Sequence, residues 1–207
     1  MFFEQMEEWS VNTEHSFAID SMKIRTFFAL PLKQAPIRRL ADHADTLCHL
    51  DVESDVHWVD SDHYHLTLCF LGDITLKQVA RLEQLAKERL LLTDSFQVNL
   101  NSAEYYRVNE QLALLAALAQ PTADLMALRE NMVAVIETAA IHTQQQDFKP
   151  HVTLGRMNSE MDFKQPDSWP PLDLLSLADA VVLYQSKAGN NGSIYTPLFE
   201  IPLGIDT

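Results

Sequence analysis

Short runs of alternating apolar and polar residues are interleaved along this chain with longer runs in which apolar residues return every three or four positions. The first kind predicts strands and the second helices. Ile24-Arg25-Thr26-Phe27-Phe28-Ala29-Leu30 is rich in strand formers and stops at Pro31. Residues 34–50 carry Ile37, Leu40, Ala41, Ala44, Leu47 and Cys48 at helical spacing, and Pro36 suits the first turn. Val56-His57-Trp58-Val59 reads as a short strand, followed by a polar break at Asp60-Ser61-Asp62. Tyr64-His65-Leu66-Thr67-Leu68-Cys69-Phe70-Leu71 is a second strand, ended by Gly72-Asp73. Thr75 is the expected N-cap of a helix over about 76–92, whose apolar members include Leu76, Val79, Leu82, Leu85, Ala86 and Leu90.

The same order then recurs. Phe96-Gln97-Val98-Asn99-Leu100 alternates as a half-buried strand should. The run from Leu112 to Leu118 fits a buried strand or a helix. A strand is favoured, because a separate helical pattern opens after Pro121 and runs to about 142. Pro150 precedes a third clear strand, His151-Val152-Thr153-Leu154-Gly155-Arg156, and 158–171 is loop-like, with Pro166, Pro170 and Pro171. Ala178 to Tyr184 and Ser193-Ile194-Tyr195 predict a closing hairpin around Gly189-Asn190-Asn191-Gly192. No low-complexity linker separates the halves. The expected architecture is one α+β body of two similar lobes, covering residues 23–207. Residues 1–22 are polar and acidic without a clear period and read as a poorly ordered N-terminal extension.

Composition narrows this picture. Of the 207 residues 47% are hydrophobic and 21% charged, as in an ordinary soluble protein that can bury a core. No apolar run approaches the ~20 residues of a membrane-spanning helix, and the start of the chain lacks the layout of a secretion signal. A cytoplasmic monomer with no membrane partner is expected. Of the two cysteines, Cys69 sits in an apolar strand and is expected as a buried free thiol, not a disulfide partner of Cys48. The net charge of −14 argues against a non-specific grip on long nucleic acid. A nucleotide substrate would have to be held locally, by a few groups in a cleft.

One pattern carries chemistry. His65-Leu66-Thr67-Leu68 returns 86 positions later as His151-Val152-Thr153-Leu154. On a strand the His and Thr of each copy share one face, while the apolar residues enter the core from the other. A single His-x-Thr is an ordinary hydrogen-bonded histidine on a sheet; two copies in matching strands of a repeated order point to a paired device. Two lobes about a pseudo-twofold would present a phosphate with a histidine and a hydroxyl on each side. In-line displacement at phosphorus needs a base on one side and an acid on the other. Imidazole titrates near pH ~6.5, so one ring can be neutral while the other is protonated. A cyclic phosphodiester, with its strained ring and internal leaving oxygen, suits this equipment without a metal. Neither Cys-x-x-Cys nor His-Glu-x-x-His is present.

These residues, together with Arg25-Thr26-Phe27-Phe28-Ala29-Leu30-Pro31, His57-Trp58-Val59, Phe148-Lys149-Pro150 and Leu183-Tyr184-Gln185-Ser186, resemble the 2H phosphoesterases. More narrowly they resemble the bacterial and archaeal RNA 2′,3′-cyclic phosphodiesterases once described as 2′-5′ RNA ligases, over about residues 23–203. The resemblance implies two pseudo-symmetric lobes, each a mainly antiparallel sheet with helices on its outer face, around a central cleft. It implies His65 as proton donor to the leaving oxygen, His151 as proton acceptor from water, and Thr67 and Thr153 as phosphate ligands. It implies RNA ends with a 2′,3′-cyclic phosphate as substrate, a 2′-phosphate product, weak reverse joining and no cofactor. Geometry alone does not choose which histidine is the acid.

Around the pair, Arg156 is a candidate phosphate clamp. Strict alternation puts it on the face opposite His151, unless the strand twists or ends near Gly155. Lys149 could add positive potential. Phe27, Phe148 and Tyr184 could stack on a base, with core packing as the plainer reading. His57 reads as structural or exposed. Two alternatives stay open. One is a non-catalytic RNA-end binder on the same fold. The other is a metallohydrolase using His63, His65 and His151.

Overall fold

The computed structural model describes residues 22–51, 56–143, 147–161, 163, 169–189 and 192–204. Most of the proposed N-terminal extension, part of the 158–171 loop and the Asn190-Asn191 turn lie outside the described residues. Nine strands are described: β1 (Lys23–Pro31), β2 (His57–Trp58), β3 (His65–Thr75), β4 (Phe96–Arg107), β5 (Ala113–Ala119), β6 (His151–Met157), β7 (Leu174–Ala178), β8 (Ala180–Gly189) and β9 (Gly192–Pro202). Three helices accompany them: α1 (Gln34–Cys48), α2 (Leu76–Leu90) and α3 (Ala123–Thr138). The fold is α+β, built on a mostly antiparallel sheet in the order β7-β4-β5-β6-β3-β1-β8-β9, with β2 added to β6. None of the described helices is long and apolar enough to cross a membrane.

Each helix lays an apolar stripe on the same side of the sheet. Leu40, Ala44 and Leu47 of α1, Leu82, Ala86 and Leu90 of α2, and Leu125, Leu128, Met132 and Val135 of α3 share one core with Leu66, Leu68, Val152 and Leu154. Those last four are the apolar positions of the two His-x-Thr copies, each 0–3% exposed. Burying a side chain of this size contributes roughly 1.5–3 kcal/mol, so the motif strands are anchored from beneath. Thr75 begins α2 with a capping box: its side chain accepts from Gln78 N–H while Gln78 reaches back to the Thr75 N–H at 2.9 Å.

The structure departs from the sequence reading where local signals compete with sheet pairing. β3 does not stop at Gly72 but runs to Thr75, because Gly72 takes φ +72° inside a ladder that also skips Leu71. β4 is twice as long as its alternating start suggested, and the unanticipated β7 pairs with it along Phe96–Leu100. The ambiguous run at 112–118 is a strand, as favoured. His63 lies in a 3₁₀ turn, Ser61–His63, so the strand does not reach it.

The two motif strands are neighbours. Leu66 pairs with Val152 antiparallel, and among the described residues this is the sole register contact between β3 and β6. Beyond it the later half of β6 pairs with β2 through His57–Arg156 and Trp58–Gly155. β3 and β6 therefore part after one contact, and the sheet opens there into two halves.

Each motif strand carries a bulge at the fourth motif position. Thr67 pairs with Ala29 and Cys69 with Phe28, which skips Leu68. Thr153 pairs with Ala116 and Gly155 with Leu115, which skips Leu154. The extra residue reverses the alternation, so the residue five beyond each histidine returns to the histidine's face. Those residues are Phe70 and Arg156.

The bulge on β6 needs glycine next to it. A Cβ on Gly155 would lie 2.5 Å from Cγ1 of Val56, a branched core side chain 7% exposed, so one of the two would have to shift. Gly155→Ala is expected to lower stability by about 1–3 kcal/mol, as overpacking does. Val56→Ala in the same chain should recover part of that loss. Urea unfolding of the two variants checks both expectations.

Candidate active site

The register sets the geometry of the site. With Leu66 opposite Val152, one step along each strand brings His65 beside Thr153 and His151 beside Thr67. His65 and His151 are then diagonal neighbours on one face, a relation that spans about 7–8 Å in a regular antiparallel ladder, somewhat less between Cβ atoms. That gap suits one tetrahedral phosphate between two ring nitrogens. The two imidazoles also sense each other electrostatically, since His151 is among the groups that depress His65.

Both rings are held by the same local device. His65 Nδ1 lies 2.7 Å from the His63 carbonyl, and His151 Nδ1 lies 2.7 Å from the Lys149 carbonyl. A carbonyl only accepts, so each Nδ1 carries the hydrogen and each Nε2 is left with the exchangeable proton site. Burial is the main reason His65 is pushed down to about 4; the His63 carbonyl opposes this, while Arg156, His151 and His63 add to it. Burial also lowers His151, countered by the Lys149 carbonyl and reinforced by Lys149 and Arg156. Both rings are thus neutral at pH 7 without an anion between them.

Arg156 acts electrostatically on both histidines. The strand neither ends nor merely twists at Gly155; the Leu154 bulge turns Arg156 inward, contrary to strict alternation. Lys149 Nζ pairs with Glu104 Oε2 at 2.9 Å and sits 4.1 Å above the Tyr106 ring centroid.

The half-sheet around His65 is aromatic. Phe27 lies 4.9 Å from His65, 5.9 Å from Phe70, 5.5 Å from Tyr184 and 5.2 Å from Tyr195, ring centre to ring centre. Phe27 is 3% exposed, so it supports the His65 ring and offers no open face of its own. Tyr184 is half-buried beside it. Phe148 packs under Arg129 at 5.1 Å, against the core, away from this ring cluster. Phe70, by contrast, is 63% exposed. Sequence reasoning missed Phe70, Tyr195, Glu104 and Tyr106. A signal for the first was present: Phe70 and Arg156 both stand five residues after their histidine.

His63 faces Tyr195, with ring centres 5.3 Å apart. Among the described residues no three His, Cys, Asp or Glu side chains are grouped to hold a metal ion. His57 is exposed on β2. Cys69 is a half-buried free thiol, pushed up to about 11 by burial against the opposing pull of Arg129.

Paired His-x-Thr strands meeting at the centre of an opened antiparallel sheet define the chain as a 2H phosphoesterase by fold and site. The family model of the 2′-5′ RNA ligase superfamily matches residues 34–188, and the chain belongs to that superfamily. Curated relatives include the RNA 2′,3′-cyclic phosphodiesterase of Thermotoga maritima, 23% identical over 86% of this chain and 94% of the relative. That of Aeropyrum pernix is 23% identical over 80% of this chain and 95% of the relative. Among solved structures, apo LigT of E. coli superposes with a TM-score of 0.72 at 23% identity, covering 89% of this chain and all of LigT. LigT complexed with 3′-AMP gives 0.68 at 23% identity, over 88% and 99% of the two chains. At this identity the superpositions speak for the fold alone.

A depressed histidine has a thermodynamic signature. Between pH ~6.5 and about 4 the unfolded chain holds a proton on residue 65 that the folded chain refuses. The ligand-free protein should therefore lose stability as pH falls through that window, and His65→Gln should lose less. Melting temperatures across the pH range test this.

Proposed function

We propose that this chain hydrolyses 2′,3′-cyclic phosphates at RNA ends to 2′-phosphomonoesters by metal-independent acid–base catalysis. The observation that carries the reading is the pair of Nε2 atoms left free by carbonyl-bound Nδ1 groups on adjacent strands. The names of the curated relatives point to the same substrate class.

The reaction follows from the two rings. Water attacks phosphorus opposite the 3′ oxygen, and His151 Nε2 takes its proton. The P–O3′ bond breaks, and His65 gives its Nε2 proton to the departing oxygen. The phosphate stays on the 2′ oxygen, and exchange with solvent resets both rings. Thr67 and Thr153 donate to the non-bridging oxygens, and Arg156 balances their charge. The exposed ring of Phe70 offers a face to the base, with Tyr184 behind it. Weak 2′-5′ joining follows the same steps with the 5′ hydroxyl of a second RNA end in place of water: its oxygen bonds to phosphorus as His151 takes the proton, and the P–O3′ bond breaks as His65 protonates the departing oxygen.

The donor role of His65 comes from the family resemblance and needs the substrate's charge. In the free protein His65 is the ring held down to about 4, which on its own suits a base. An anionic phosphate beside it favours the imidazolium and restores the proton. Binding of a 2′-nucleotide at pH 7 should then take up about one proton. Titration calorimetry in two buffers of different ionisation heat measures it; zero uptake would remove His65 as the resident acid.

The activity test uses an oligonucleotide ending in a 2′,3′-cyclic phosphate. His65→Ala and His151→Ala should each lose ~10²–10⁴-fold in kcat, with the wild-type rate indifferent to EDTA. Full activity in either variant sinks the mechanism. Activity that falls with chelator and returns with a divalent metal would favour the metallohydrolase, and tight binding without turnover the RNA-end binder.

A further inference from the structure

The two half-sheets match position by position, and the match exposes one difference. Phe70 pairs with Phe27, and Phe27 with Tyr184; Arg156 pairs with Leu114, and Leu114 with Tyr106. Tyr184 and Tyr106 are thus counterparts, each with its ring centre about 6 Å from the histidine of its own half, at 6.1 Å and 6.0 Å. Tyr184 meets His65 through ring packing, stacked on Phe27 with 22° between planes. Tyr106 instead stands edge-on to His151, at 87°, and its hydroxyl lies 3.3 Å from Nδ1. Leu114 replaces Phe27 on this side, so no ring intervenes.

We propose that Tyr106 is a positioning residue for His151: its phenol oxygen shares the Nδ1–H with the Lys149 carbonyl, which holds the ring with Nε2 toward the phosphate. The inference rests on the two-histidine reading above. Its geometry is braced from behind. Lys149 Nζ lies over the Tyr106 ring and is itself fixed by Glu104, two residues from Tyr106 on β4 and on the same face. One lysine therefore serves twice, its carbonyl on Nδ1 and its ammonium on the phenol. Burial first and Glu104 second raise the phenol to about 12, so it stays neutral and its lone pairs remain available to Nδ1–H at working pH.

The consequence concerns the proton that His151 receives. An imidazolium with two oxygens on Nδ1–H is better stabilised than one with a single oxygen. The other charged or titratable groups facing His151 are Lys149 and Arg156, which oppose its protonation, Glu104, which is engaged by Lys149, and His65 across the junction. On this proposal Tyr106 joins the Lys149 carbonyl in working in the opposite sense to the two cations.

Tyr106→Phe keeps the ring and removes only the oxygen. The expected result is a kcat lowered ~3–10-fold with KM nearly unchanged. The ascending limb of the kcat/KM profile against pH should move down by roughly 0.4–1 unit, the equivalent of one ordinary hydrogen bond. In the ligand-free protein the NMR titration of the His151 ring should move the same way, with His65 unmoved. Tyr106→Leu, which also removes the platform for Lys149, should shift it at least as far. If neither variant moves the His151 titration, the proposal is overturned; a fall in kcat without that movement assigns Tyr106 to packing and overturns it equally. The NMR arm needs no turnover. An inactive wild type would therefore sink the proposed reaction, while the His151 titration still decides whether Tyr106 positions the ring.

Discussion

The pairing of Leu66 with Val152 is the contact on which the site depends. It is a contact between two core side chains, neither of which touches a substrate, yet it fixes which residues stand beside which on the opposite face. A slip of one residue would turn the histidine of the slipped strand into the core and its apolar anchor out, because neighbouring side chains within the motif point to opposite faces. On the proposed reaction the apolar positions of the motif are therefore as necessary as the histidines. Their burial selects the register, and the register delivers the diagonal pair of rings. Because the contact is confined to one residue pair, the strands diverge immediately afterward, and that divergence is where the proposed reaction places the phosphate.

The second constraint is the repeated bulge. Without it, each motif strand would present two functional side chains, His and Thr, and then turn its next polar group away. The skipped leucine adds a third, five residues after each histidine. On one half this third group is Arg156 and on the other Phe70. On the proposed reaction a charged clamp and an apolar platform would thus arise from the same backbone irregularity. The substrate class proposed above has the same division, an anionic phosphate and a flat base. The strongly acidic chain concentrates its favourable potential here, with Arg156 and Lys149 bracketing His151 while the surface at large repels polyanions.

Much of this was legible in the sequence. The strand–helix order, the Thr75 cap and the duplicated His-x-Thr pattern all depend on short-range periodicity, which a single chain displays. What stayed hidden depends on pairing between distant segments. Gly72 reads as a strand end, and only the partner strand β1 reveals that it is a bend within a continuing ladder. Strict alternation puts Arg156 on the wrong face, because a bulge is a property of two strands and leaves no period in either. β7 is five residues long and one-sided, too short to stand out beside the prolines that precede it. Tyr106 and Glu104 lie beyond the cleanly alternating start of β4, and their relevance appears only when β5 carries them alongside β6.

The pseudo-twofold invites the view that the two histidines are interchangeable, and the surroundings argue otherwise. The carbonyl on Nδ1 is common to both, so tautomer and orientation are symmetric properties of the repeat. The neighbours are not. His65 is packed among Phe27, Tyr184 and Tyr195, an environment that disfavours charge until an anion arrives. His151 has a phenol oxygen within reach of Nδ1 beside the carbonyl, set against two cations that oppose its charge. A ring that takes up its proton together with the substrate suits a donor whose charge is spent in the transition state. A ring whose imidazolium is stabilised by fixed oxygens suits an acceptor that must hold a proton after the bond has broken. On the proposed reaction the two halves differ where their roles would part, at the second strand, with Phe27 on one side and Leu114 on the other.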